Sequence, residues 1–139
     1  MADILVNQMI DNLAQYAFGA APARPSLTYH LFVNNVTITS ATLLANLTEC
    51  TAPGYAAINV PYTSWSGATA AGVANYSAPN ITFSLTGQGA PAQTVYGHYV
   101  TDQTSGVLLF GLTWAAPWAI PSGGGPVLIT PKWTTQQCP

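Results

Sequence analysis

Charged side chains are the scarcest feature of this sequence. They make up 4% of its 139 residues, with two Lys or Arg and four Asp or Glu, whereas roughly a quarter of a typical globular chain is charged. Nucleic-acid binding requires clustered basic residues. Arg24 and Lys132 are isolated, so we expect no nucleic-acid partner. A chain this neutral stays soluble most readily when much of its surface is buried in a symmetric assembly, which predicts a homo-oligomer.

The chain also lacks a long apolar run and a basic leader. Hydrophobic residues form 49% of it, but no run reaches the roughly 18 residues of a membrane span, and none is predicted. Asp3 and Asp11 interrupt the first stretch, MADILVNQMIDNL, which is therefore not a secretory signal peptide. We expect synthesis and folding in a cytoplasm. The chain's aromatic content, 11%, argues against disorder.

Cysteine and histidine are too few to predict a metal centre. Cys50 and Cys138 form either one disulfide after release from the cell or two thiols of which one is buried, and both alternatives stay open. His30 and His98 lie on predicted strands and can meet across them, but no third ligand is evident. We expect neither a metal nor another cofactor.

Acidic residues offer no pair for hydrolytic chemistry. Two of the four lie in a predicted helix, while Glu49 and Asp102 stand alone in the sequence, so no two carboxylates are expected to face one another. His98 and Asp102 are four residues apart in a strand and hence roughly 13 Å from each other. The sequence therefore predicts that the protein is not an enzyme.

The strongest structural pattern is a long β-hairpin over residues 93–114, QTVYGHYVTDQTSGVLLFGLTW. Its centre, TDQTSG, is typical of a turn: Asp102 is expected to accept hydrogen bonds from nearby backbone amides, and Gly106 to take a positive φ. Tyr96 and His98 are predicted on one face of the first arm and Tyr99 on the other. The returning arm is apolar on both faces, so both should be covered, either within a sandwich or in an oligomer.

A helix and several further strands surround this hairpin. Val6, Ile10 and Leu13 recur at helical spacing, which predicts a helix over residues 3–18 that Gly19 ends. About seven or eight strands with regular turn signals follow. The predicted fold is mainly β, a β-sandwich or jelly roll of antiparallel strands with an N-terminal helix. Residues 1–19 form the helix and residues 20–139 the β-sandwich domain.

The four tryptophans lie near predicted strand ends. We interpret them as core or subunit-interface residues, with stacking on sugars as the competing interpretation. Two of them, together with residues of the helix and the hairpin, are predicted to form a candidate interface: Val6, Ile10, Leu13, Tyr96, Leu108, Phe110, Leu112, Trp114 and Trp118.

Four segments carry a resemblance to a known family. They are ILVNQMIDNLAQYAFG, LTYHLFVNNVTIT, TECTAPGYAAINV and TVYGHYVTDQTSGVLLFGLTWAAPWAIPSGGGPVLITPKW. Over about residues 3–133 the chain resembles small tailed-phage virion proteins of the head decoration, or cement, type, whose patterns include YxLFxN, T…E…GYA and YGYYVTD. It departs from them at Thr113, near which the family often has an acid.

The resemblance implies a β-sandwich that forms a trimer on the outside of a phage capsid, bound to the major capsid protein. Its localisation would be the capsid surface of the virion, after synthesis in the host cytoplasm. Small tail-fibre or tail-tip adhesins that bind host glycans look similar, and this alternative stays open.

Overall fold

The computed structural model describes residues 4–5, 26–70 and 73–134. These residues are mainly β, and the only helical elements among them are the short 3-10 turns η1 (Leu44–Asn46) and η2 (Tyr62–Ser64). The strands are β1 (Ile4–Leu5), β2 (Leu27–Phe32), β3 (Ile58–Val60), β4 (Ser66–Ala70), β5 (Val73–Ser77), β6 (Ile81–Leu85), β7 (Thr94–Asp102), β8 (Leu108–Ala119), β9 (Gly125–Ile129) and β10 (Lys132–Thr134).

The described strands pair into three antiparallel sheets. The largest has the order β1-β8-β7-β2-β3, a second has β10-β5-β4, and β6 pairs with β9. The prediction of a mainly β, antiparallel fold is confirmed. The finer assignment to a jelly roll stays a prediction.

The N-terminal prediction is wrong where the structure describes it. Ile4 and Leu5 are not the start of a helix but a short strand, which pairs with Gly111 and Phe110 of β8. The rest of the predicted helix, including Val6, Ile10 and Leu13, lies outside the described residues.

The predicted hairpin is confirmed as β7 and β8. Asp102 Oδ1 accepts hydrogen bonds from the backbone amides of Thr104, at 2.7 Å, and Ser105, at 2.8 Å. Gly106 has φ +69°, a conformation that side chains disfavour. The turn is thus held by the local chemistry that its sequence predicted.

Both faces of the hairpin are covered within a single chain. Val100 and Phe110 belong to the larger core cluster, where Phe83, Ile129 and other residues of the smaller sheets pack against the large sheet. On the opposite face, Tyr99 and Leu108 pack with Phe32 and Ile38; we call these four residues the outer cluster. Coverage of both faces therefore does not require a partner subunit.

One facing prediction fails because the pairing of β7 with β8 is irregular. The register shifts between Val95 and Gly97, and Tyr96 packs against the outer cluster. His98 lies on the other face, where its ring stacks on Tyr29 of the larger core. Tyr96 therefore shares a face with Tyr99, not with His98.

Two glycines make room for the outer cluster. A Cβ on Gly111 would lie 2.6 Å from Ile38 Cδ1, and one on Gly97 would clash with Leu112 O and lie 2.6 Å from the Phe32 ring. Neither ring nor methyl group has space to move in a packed cluster. The sheet therefore needs glycine at both positions so that Phe32 and Ile38 can pack directly on its backbone.

Candidate functional site

The outer face of the large sheet carries a closed loop, residues 33–48, which we call the outer loop. Its ends meet where the amide of Val33 donates to Thr48 O at 2.8 Å. The Asn34 side chain reinforces this closure, because it accepts from the amide of Thr48 and donates to Asn46 O, both at 2.8 Å. Hydrogen bonds therefore hold the two ends of the outer loop together.

Thr113 of β8 fixes the middle of the outer loop. Its hydroxyl accepts from the amide of Ile38 at 2.9 Å and donates to Val36 O at 3.1 Å. Here a neutral hydroxyl satisfies one donor and one acceptor of the loop backbone, which a carboxylate, having no proton to give, would not do.

A polar cluster lies where the outer loop returns to the sheet. We call His30, Glu49, Tyr55, Tyr99 and Thr101 the His30–Glu49 cluster. The His30 ring lies with Nδ1 2.7 Å from Glu49 Oε1 and Nε2 3.0 Å from Thr101 Oγ1. It also stacks on the Tyr99 ring, with centroids 4.6 Å apart and planes within 5°. Because a carboxylate only accepts, Nδ1 is the donor in its bond to Glu49.

The strand register creates this arrangement. His30 of β2 is paired directly with Tyr99 of β7, and cross-strand partners share a face of the sheet. Glu49 joins them because it forms an isolated bridge with Phe32. Tyr55 arrives from the next turn, donates to Glu49 Oε1 at 2.7 Å and accepts from the amide of Leu31 at 3.2 Å. The cluster therefore joins four separate segments of the chain.

The electrostatics of the cluster centre on Glu49. Partial burial raises the pKa of its carboxyl, but hydrogen bonds from His30 and Tyr55 and the charge of His30 outweigh burial, so the pKa lies below its ordinary value. Burial raises the pKa of the Tyr55 and Tyr99 hydroxyls, and their contacts with Glu49 raise it further. Both phenols therefore stay protonated as donors to a carboxylate that stays ionised.

The order of carboxylate, imidazole and hydroxyl in Glu49, His30 and Thr101 matches that of a nucleophile-activating triad. The surroundings favour a structural role instead. Thr101 is only 6% exposed and lies within β7, whose neighbours β2 and β8 are both paired to it. This burial leaves little of the Thr101 side chain open to a substrate carbonyl. The cluster is best explained as a polar clasp that ties the outer loop to β2 and β7.

The two histidines do not come together. His30 is on the outer face, whereas His98 is on the inner face, where the Trp114 indole donates to its Nδ1 at 3.3 Å. The sheet itself thus separates the two imidazoles. Among the residues that the structure describes, no three His, Cys, Asp or Glu side chains are placed to hold a metal ion.

The predicted interface residues that the structure describes fall into two groups. Leu108 and Phe110 are 1% and 3% exposed and pack in the core of the single chain, because opposite faces of β8 are both covered; their role in an interface stays a prediction. Tyr96, Leu112, Trp114 and Trp118 are half-buried and remain accessible in part.

Cys50 is a free thiol, buried with 2% of its surface exposed. Its Sγ donates to Gln93 Oε1 at 3.5 Å, and the same oxygen accepts from the amide of Thr51. Burial raises the pKa of the thiol. Cys138 lies outside the described residues. Of the two alternatives that the sequence left open, the described part of the chain has the buried free thiol.

Sequence reasoning missed the His30–Glu49 cluster because it considered Glu49 a solitary acid. The cluster draws on three segments of the sequence: LTYHLFV supplies His30, TECTAPGY supplies Glu49 and Tyr55, and YGHYVTD supplies Tyr99 and Thr101. These three patterns meet at one point of the fold. What looked like separate structural motifs are the parts of a single clasp.

Comparison of the chain with protein-family models, with curated proteins and with solved structures gave no match. No helix within the described ranges is long and apolar enough to cross a membrane.

Proposed function

We propose that this protein is a structural protein of a phage virion, a decoration or cement protein that forms a trimer and reinforces the capsid by binding the major capsid protein. The sequence resemblance suggests this role, and the character of the surface supports it. No catalytic step is required, because such a protein acts through shape and many weak contacts.

The observation that carries the proposal is a surface almost without free charge. Among the described residues the Asp, Glu, Lys and Arg side chains are Glu49, Asp102 and Lys132. Glu49 is paired with His30, and Asp102 is engaged in its turn. Contacts made by such a surface depend little on ionic strength, because salt screens charges and not apolar burial. That property suits a particle that meets both fresh and salty water.

Exposed apolar side chains mark surfaces on which a partner can bind. Leu43 is 54% and Leu128 62% exposed, and each would bury further apolar area in a complex. Leu43 belongs to the outer loop, which its hydrogen bonds hold in place, so little conformational freedom is lost when it binds. Obligate interfaces are more apolar than ordinary surface, and these leucines fit that composition.

Sedimentation of the full chain tests the proposal. We expect a trimer at micromolar concentration in both 0.1 and 1 M NaCl, because apolar contacts are not screened. Leu43→Asp and Leu128→Asp should weaken it, whereas Ser40→Asp and Thr130→Asp add the same charge at exposed polar positions of the same segments and should not. A wild-type monomer at micromolar concentration would contradict the proposal.

An adjacent major capsid gene would favour a head location and an adjacent tail gene a fibre.

A glycan-binding adhesin of a tail fibre is the second candidate. It is favoured by exposed aromatic side chains, since Tyr62 and Tyr76 are 50% and 40% exposed and such rings stack on sugar faces. Trp118 is half-buried and packs near Gly125. A reproducible hit on a glycan array that is lost in Tyr76→Ala or Trp118→Ala would promote this role over cement. Thr82→Ala, which alters an exposed polar position, is the matched control.

A further inference from the structure

The edge of the large sheet beside β8 is covered by a very short strand. β8 has twelve residues, and β1, with two, pairs only with Gly111 and Phe110. Both of these β8 residues are buried. A buried backbone amide or carbonyl without a partner is costly. This part of the edge therefore needs an extended segment on it.

The surface beside that short strand is incomplete. Leu112 and Trp114 follow directly along β8 and are only half-buried, although both are large and apolar. A second element lying next to β1 would cover them. The site for an added strand and a half-buried apolar surface are thus continuous along one edge.

The connection between β1 and the rest of the described chain is long. Twenty residues separate Leu5 from Ser26, which reach about 70 Å when fully extended. This reach is well beyond the radius of gyration of about 14 Å for a domain of this size. The β1 segment of one copy can therefore reach β8 of an adjacent copy.

We propose that β1 is an exchange arm: in the assembled protein, Ile4 and Leu5 of one copy pair with Phe110 and Gly111 of the next copy. The partner is a second copy of this chain, and the surface is the β8 edge from Leu108 to Trp114. This inference rests on the oligomer of the proposed function and specifies how its subunits are joined.

Exchange preserves every contact that β1 makes on its own chain, so it adds no strain to the sheet. When the arms pass around a closed ring, each β8 edge receives one arm and no arm is left unpaired. The copy that donates the arm is brought against Leu112 and Trp114. Main-chain bonds and apolar contacts then join the subunits without charged pairs, as a chain with so few charges requires.

Photo-crosslinking of the full chain tests the exchange. p-Benzoylphenylalanine is placed in place of Ile4 or, separately, of Leu5, and in place of exposed Gly123 as the control. Irradiation of micromolar protein should join chains, giving denaturing-gel bands at two and three times 14.5 kDa. Peptide mapping should join position 4 or 5 to the segment that contains Phe110. The Gly123 probe should not crosslink to that segment.

A second pair of variants does not depend on the probe. Leu5→Pro removes a backbone donor and disfavours strand pairing. Leu5→Val keeps the backbone donor and the ability to pair as a strand. We expect Leu5→Pro to weaken the trimer about tenfold, from the loss of one or two main-chain hydrogen bonds, and Leu5→Val to leave it unchanged. The near-ultraviolet circular dichroism of both variants should match the wild type.

The outcomes separate this inference from the proposed function. Crosslinks confined to single chains in a sedimenting trimer overturn the exchange and leave the trimer intact. Crosslinks between chains at a site other than β8, or none at β8 at all, overturn it as well. A monomer in sedimentation overturns both the exchange and the proposed oligomer.

Discussion

Replacing Glu49 by Gln should destabilise the protein in a pH-dependent way. The substitution keeps the size of the side chain and removes its charge. Glu49 accepts hydrogen bonds from His30 and Tyr55, both at 2.7 Å, and a charged acceptor contributes about 1.5–3 kcal/mol per bond when well buried. The Glu49 side chain is 41% exposed, so solvent screening reduces this contribution. Gln also keeps one acceptor. We expect a loss of about 1–2 kcal/mol in the free energy of unfolding at pH 7.

The direction of the Glu49 pKa shift determines how the stability contribution of its carboxylate changes with pH. Because the folded-state pKa of Glu49 lies below its ordinary value, its contribution is fully present above the unfolded-state pKa of about 4.3. The contribution is lost as the pH falls through the lower, folded-state pKa. The stability difference between wild type and Glu49→Gln should therefore shrink as the pH falls below about 4.5.

Urea unfolding at several pH values, followed by tryptophan fluorescence, measures this difference, and the melting temperature should fall by roughly 3–7 °C at pH 7. Tyr55→Phe is the matched control, because it removes one donor and leaves the carboxylate, so its stability should keep a dependence on acid pH. The double variant should lose less than the sum of the single losses, since both act on one bond. A difference that stays the same from pH 3 to 7 would refute the reasoning.

Three further predictions concern packing, the turn and the thiol. Gly111→Ala should cost about 1–3 kcal/mol by overpacking against Ile38, whereas Gly123→Ala, which meets nothing within 4 Å, should be near neutral; equal unfolding midpoints would contradict this. Asp102→Ala removes two hydrogen bonds from the turn and should cost about 1–2 kcal/mol, measured by thermal melting, with exposed Gln103→Ala as the control. In a Cys138→Ser variant, Cys50 is buried and should react with a thiol reagent only after denaturant is added; rapid labelling of the native protein would show that Cys50 is accessible.

The hairpin was predictable because its determinants are local. Asp102 bonds amides two and three residues away, and Gly106 needs only its own φ. The apolar character of both faces of β8 also follows from alternation along one strand. Such features depend on neighbours in sequence and hold in any fold that forms the hairpin.

The face of the sheet on which each side chain lies was less predictable, as Tyr96 shows. Strict alternation would place Tyr96 on the same face of the sheet as His98. A register shift between Val95 and Gly97 interrupts that alternation. Side chains alternate with a period of two, so an irregularity of one residue moves a side chain to the other face. Nothing in the local sequence marks that irregularity clearly.

The sequence by itself determined a nearly uncharged, antiparallel β protein with a central hairpin, whose turn contains Asp102 and Gly106. It could do so because composition, alternation and turn chemistry are properties of short segments. Only the tertiary structure decided that His30 meets Glu49 while His98 lies on the opposite face, that Leu108 and Phe110 are core, and that Ile4 and Leu5 form a strand. These outcomes depend on which strands become neighbours, and β2 and β7 are separated by some seventy residues, His30 and Thr101 being 71 apart. Pairing over that distance is set by the packing of the whole chain, which no short segment specifies.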